Sequence, residues 1–205
     1  MDTTILLSFL LASIALTLMP GPDNIFVLTE SITRGYVTGV WLALGLSSGI
    51  IVHTLLLASG LSLILVQSAT ALTILKFLGS AYLIWLAVQA ARETAQPVSI
   101  ISPVTGAGSP ATLVKKGFLM NVLNPKVSVF FIAFLPQFLT ESQVAVGVQL
   151  MILGLIFLIQ AFLIFSCIAL LCGRLHEVVN KPKFWIYTKW SKVAVTASLA
   201  LALFF

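Results

Sequence analysis

Two dipeptides place a charge directly after a proline inside apolar sequence, Pro22-Asp23 and Pro125-Lys126. At the depth of a hydrocarbon layer, a charge costs at least ~2.5–3.5 kcal/mol unless it is paired or holds a ligand. An acid and a base placed in this way could bind the two ends of a zwitterion, or take up and release a proton. Amides flank both: Asn24 follows Asp23, and Asn121 and Asn124 precede Lys126. Each could satisfy opened backbone or touch a ligand. His53 stands in another apolar stretch; an imidazole titrates near neutrality and could pass protons, with a buried, hydrogen-bonded structural histidine as the alternative. Glu30 and Arg34 are four residues apart and read as a helix salt bridge near an interface.

The prolines determine what positions these groups. Pro20 and Pro22 lack the backbone donor that a regular helix interior needs, and Gly21 lets the chain turn between them. Pro22 suits the first position of a new helix. Asn124 and Pro125 repeat that pattern as N-cap and first residue. Each break leaves unpaired N–H groups at a helix start, where an anionic group is favoured. Asp23 is favoured by the helix start beside it, whereas Lys126 is disfavoured by its own. The lysine is therefore expected to meet an anion, either Asp23 or a ligand carboxylate. The plainer alternative is two ordinary kinks with snorkelling charges.

Composition supplies the setting. Sixty per cent of the 205 residues are hydrophobic, only 8% are charged, and the mean hydropathy is +1.13. A soluble domain of this size cannot hide so much apolar surface. In lipid the backbone must close its own hydrogen bonds, so spanning segments are helices or closed barrels. Apolar runs of roughly 17–25 residues fit helices, and no barrel-like alternation is present. Six spans are expected: 4–32, 39–60, 73–91, 117–138, 144–172 and 185–205. A straight helix over the first would be roughly 45 Å long, too long for one crossing. It is therefore expected as two half-helices around residues 19–23, and the fourth span as two around Asn124-Pro125. Residues 1–95 and 113–205 form two three-span halves of one transmembrane domain, joined by a linker at 96–112 rich in Pro, Gly, Ser and Thr. An odd number of spans inverts the second half relative to the first. Broken helices opening both halves of an inverted repeat point to a secondary transporter with its site near the midplane.

Nine of the 11 lysines and arginines fall in the first, third and fifth loops: Arg34, then Arg92, Lys115 and Lys116, then Arg174, Lys181, Lys183, Lys189 and Lys192. This bias puts those loops in the cytoplasm and both termini outside, and it accounts for the basic pI without nucleic acid. Met1-Asp2-Thr3-Thr4 carries no basic stretch, so the first apolar run reads as a span rather than a removable signal. Trp185, Tyr187 and Trp190 suit an interfacial anchor, and Lys76 is expected to snorkel outward. Cys167 and Cys172 lie on different faces of one span with no ligand cluster, so no metal site or other cofactor is expected. Gly35-x-x-x-Gly39 and Gly45-x-x-x-Gly49 mark close helix approach, within the protomer or across a dimer.

Residues 20–22 (Pro-Gly-Pro), Arg34-Gly35 with Gly39 and Gly45, 76–83 (Lys-Phe-Leu-Gly-Ser-Ala-Tyr-Leu), 117–126 (Gly-Phe-Leu-Met-Asn-Val-Leu-Asn-Pro-Lys) and 135–138 (Leu-Pro-Gln-Phe) keep an order and spacing that resemble one family, the lysine exporters (LysE/RhtB), which include homoserine/threonine and leucine exporters. The resemblance covers most of the chain. It implies an amino-acid exporter of a bacterial cytoplasmic membrane, a homodimer driven by proton antiport. With it, Lys126 and the two helix starts are expected to hold a substrate carboxylate, and Asp23 with freed carbonyls its ammonium. Asp23 is the favoured proton-coupled acid. Neutral amino acids such as threonine, homoserine or leucine are favoured, because the spans hold only Asp23 and Glu30 as acids. The alternative is an exporter of divalent metal cations, against which Lys126 and the shortage of converging ligands weigh. No nucleophile–base set or metalloenzyme motif suggests an enzyme.

Overall fold

In a computed structural model, residues 2–61, 69–93, 109–172 and 181–203 are described, and all their regular structure is helical. The helices are α1 (Thr3–Leu18), α2 (Pro22–Arg34), α3 (Tyr36–Leu56), α4 (Ala69–Arg92), α5 (Pro110–Val122), α6 (Pro125–Val129), α7 (Val146–Leu170) and α8 (Pro182–Ala202). A π turn, Leu57–Leu61, extends α3; a π turn, Phe130–Phe134, and a 3₁₀ turn, Leu135–Phe138, extend α6. Most of the expected linker, the loop before α4 and Arg174 lie outside the described residues. Ser109, by contrast, already caps α5, its hydroxyl accepting the Thr112 N–H at 3.3 Å. Of the basic residues expected in the fifth loop, Lys183, Lys189 and Lys192 sit on the first half of α8 instead. Pro182 starts that helix earlier than the apolar run implies, because proline is a good first helical residue.

The two breaks fall where the prolines put them. α1 and α2 meet at 60°, and α5 and the α6 segment at 50°. The stretches 36–59 and 146–170 are long and apolar enough to cross a membrane alone, and the two bent pairs raise the number to four. α4 and α8, of 24 and 21 residues, pack along each other. α3 packs on both α5 and α7, and α7 also packs on α1. Half for half, α3 against α5 is thus answered by α7 against α1.

Lipid tails are as apolar as leucine, so helix association in a membrane depends on close packing rather than on escape from water. Gly45 on α3 and Gly117 on α5 provide it. A Cβ on Gly45 would run into the backbone carbonyl of Val114, and one on Gly117 into that of Leu42. The glycine spacing of α3 is therefore used inside the protomer. Gly35, the one residue of positive φ among those described (φ 90°), ends α2 and starts α3 in a conformation that L side chains rarely adopt. A second core forms where Phe9, Phe130, Phe134, Phe138 and Phe157 gather, with ring centroids 5.0–6.5 Å apart. The π turn is what buries Phe130, Phe131, Ala133 and Phe134 together: its wider pitch shifts the phase by about one residue.

Candidate functional site

A proline at position i leaves the carbonyl of residue i−4 without its helical donor. At the first break this frees the Leu16 carbonyl (facing Pro20), and the break as a whole opens those of Thr17 and Met19. The second half of the chain supplies most of what replaces the lost donors. Lys126 Nζ donates to Leu16 O at 3.3 Å and to Met19 O at 3.4 Å. Asn24 Nδ2 donates to Thr17 O at 3.0 Å. Lys126 is 8% exposed, and its charge lies at the C-terminal end of α1, where the helix dipole favours a cation as much as the start of its own helix disfavours one. Gly21 makes room: a Cβ there would stand 3.4 Å from the ammonium.

At the second break the arrangement is reciprocal. Pro125 cannot serve the Asn121 carbonyl; the Asn124 N–H reaches it at 2.9 Å and His53 Nε2 at 3.2 Å. For that contact His53 carries its proton on Nε2, and its ring lies 5.5 Å from that of Phe131. Asn124 caps α6 through its Oδ1, which accepts the Lys126 N–H at 3.0 Å. Its Nδ2 donates to Asp23 Oδ2 at 2.5 Å. Asp23, 2% exposed, is thereby tied to the cap of the opposite break while sitting in the favourable first turn of α2.

Asp23 and Lys126 face one narrow cavity, with Leu16, Thr17, Asn121 and Phe157 also in its wall. They are not in ion-pair contact; the ion pairs among the described residues are Glu30–Arg34 at 3.5 Å and Glu93–Lys192 at 2.7 Å. Glu30 is thus engaged in the helix salt bridge its spacing predicts. Every sequence-predicted site residue (Asp23, Asn24, His53, Asn121, Asn124 and Lys126) belongs to this one network across the two breaks. The lysine meets backbone carbonyls rather than a carboxylate, because the opened end of α1 supplies the negative pole it needs.

Three residues that sequence reasoning passed over also belong here. Gln160 of α7 donates from Nε2 to Thr17 Oγ1 at 2.9 Å, bracing α1 below its break as His53 braces α5. A lone amide inside a 25-residue apolar helix was the available signal. Thr196 of α8 contacts Met19 Sδ through its hydroxyl at 2.9 Å, and nothing in the sequence marked that pair. The carboxamide oxygens of Asn24, Asn121 and Gln160 are buried with no partner. With the Asp23 carboxylate they form a set of acceptors suited to a cationic or N–H donor group. Among the described residues, no three of His, Cys, Asp and Glu converge as a metal site would require.

Broken helices crossing at a buried acid and base, in a bundle of apolar spans, are the architecture of a membrane transporter. The chain belongs to the LysE type translocator family, which it matches over residues 14–204. It is 34% identical over 176 residues to the homoserine/homoserine lactone efflux protein of Salmonella typhimurium (strain LT2), covering 86% of this chain and 84% of that one. To an uncharacterized membrane protein of Vibrio cholerae it is 30% identical over 194 residues, or 94% and 92% of the two chains. The leucine efflux protein of Enterobacter sp. (strain 638) is 27% identical over 164 residues, 78% and 77%. No solved structure matches the chain.

Proposed function

We propose that this protein exports small neutral amino acids across a bacterial cytoplasmic membrane by proton antiport, through six spans arranged as two inverted halves with both termini outside. The observation that carries the reading is the paired break: Asp23 and Lys126 on one cavity, beside buried carboxamide oxygens without partners. An α-ammonium needs acceptors and a negative charge, which Asp23 and Asn121 offer. An α-carboxylate needs Lys126 and the helix starts. The pairing of Glu30 with Arg34 leaves Asp23 as the acid free to meet a cation in the cavity, which favours substrates with one ammonium over lysine-like ones. Relatives named as homoserine and leucine efflux proteins support the amino-acid class. Proton exchange is assigned to Asp23. The mutual packing of α3 and α7, and the exchange of α3–α5 for α7–α1, support the inverted halves.

The test is counterflow in proteoliposomes with threonine, homoserine, leucine and lysine, with and without an imposed pH gradient. Gradient-dependent flux of the neutral members is expected, abolished by Asp23→Asn and by Lys126→Ala at unchanged membrane abundance. Full transport by either variant refutes the site, and flux indifferent to the pH gradient refutes the coupling.

A further inference from the structure

Two cavities flank the first break without belonging to the ligand site. One, of about 400 Å³, lies between α2, the end of α7 and the first half of α8, and Pro20, Asn24, Thr29, Trp185 and Ser191 are among its walls. The other, of about 930 Å³, lies between the first half of α1, the turn after α6 and the second half of α8, walled by Ser8, Ala15, Gln137 and Ser198 among others. The first is nearer the end of the bundle that carries Arg34, Lys183 and Lys189; the second is nearer the opposite end. Both are of a size that holds small molecules. Both use the same two walls, α8 and the broken α1–α2 pair.

The partition between them is thin. On α8 the wall of the first cavity ends at Ser191 and that of the second starts at Ala194; on α1 the corresponding residues are Leu18 and Ala15. Three residues of helix rise about 4.5 Å, less than one turn. Met19 and Thr196 form the contact across it, and both are buried. The Thr196 hydroxyl has one proton and two acceptors, Lys192 O at 2.6 Å and Met19 Sδ at 2.9 Å. A carbonyl is the stronger acceptor and a thioether the weaker, so the contact across the partition is readily broken. The carbonyl of Met19 is one of the two that Lys126 Nζ holds.

We propose that the substrate travels along α8, through these two vestibules, and that Met19 against Thr196 is the gate between them, latched by Lys126. The proposal rests on the exporter reading above. A substrate carboxylate that engages the ammonium draws it away from Leu16 O and Met19 O, so the turn carrying Met19 is released only when the site is filled. Without that link, a gate this thin would leak.

The experiment uses a Cys167→Ser/Cys172→Ser protein, in which Ser191→Cys or Ser198→Cys is the only thiol. A charged, membrane-impermeant thiol reagent is applied to either face of sealed, oriented vesicles. The expected result is labelling of Ser191→Cys from the cytoplasmic face alone and of Ser198→Cys from the external face alone. Met19→Ala, and independently Thr196→Ala, abolishes this sidedness. Saturating substrate changes both labelling rates in the parent but not in Lys126→Met. Labelling of both positions from one face, labelling from neither, or sidedness that survives both gate variants overturns the proposal. Counterflow is measured on the same unlabelled proteins. Loss of flux in the parent refutes the exporter reading, whereas intact flux with the wrong sidedness refutes only the route and its gate.

Discussion

Replacing Lys126 by methionine keeps the apolar stem and removes the ammonium. Leu16 O and Met19 O then lose their donor. Each buried acceptor left without a partner costs about 1–3 kcal/mol. Asp23 also loses the opposite charge across the cavity. Against these losses stands relief from burying the ammonium, itself worth several kcal/mol. Removing one member of a buried charged pair typically leaves a net loss of about 3–5 kcal/mol. For a chain of this length that corresponds to a Tm lower by about 6–20 °C. Thermal unfolding of purified Lys126→Met, Asp23→Asn and the double variant in one detergent is the assay. The double variant, with neither charge, is expected to regain part of the loss without regaining transport. A Lys126→Met protein that melts within about 2 °C of the parent would refute the capping role. So would a double variant whose loss equals the sum of the two single losses, because coupled residues are not additive.

His53→Leu removes the donor at Asn121 O and is expected to lower stability by about 1–3 kcal/mol in the same melting assay; His53→Gln, which keeps an N–H, should recover most of it. Gly45→Ala drives a methyl into the Val114 carbonyl and should leave little folded protein by size-exclusion chromatography, whereas Gly147→Ala, with open space around it, should be neutral or slightly stabilising. Gly35→Ala is strained at φ 90° and should cost roughly 1–2 kcal/mol. Glu93→Gln breaks an ion pair whose glutamate is 55% exposed. It should change stability by less than about 1 kcal/mol at any salt concentration.

Both breaks were legible in the sequence, because proline and glycine act locally: a missing N–H ends a helix whatever surrounds it. The burial of Asp23 and Lys126 was legible for the same reason, each being fixed to a proline inside an apolar run. The partner of the lysine was not. Proline marks which carbonyl goes free, but only the approach of the two halves decides which distant donor reaches it, and Lys126 lies 110 residues from Leu16. The same holds for His53, whose alternative as a hydrogen-bonded structural residue describes its contact with Asn121. Gln160 was discoverable as an isolated amide, whereas the Met19–Thr196 contact involves residue types too ordinary to stand out. The first half of α8 was misjudged because its lysines and tryptophans resemble an interfacial loop until Pro182 is recognised as a helix start.

The completion of each break by the other half has a consequence for how the chain is made. Lys126 and Gln160 finish the break in α1–α2, and His53 finishes the one in α5–α6. During synthesis the first half therefore enters the bilayer with carbonyls in need of donors that have not yet been translated. Until the second half arrives, lipid offers those carbonyls nothing, so the first three helices alone should be a good substrate for membrane quality-control proteases. Supplied as two separate polypeptides in one cell, the halves should protect each other.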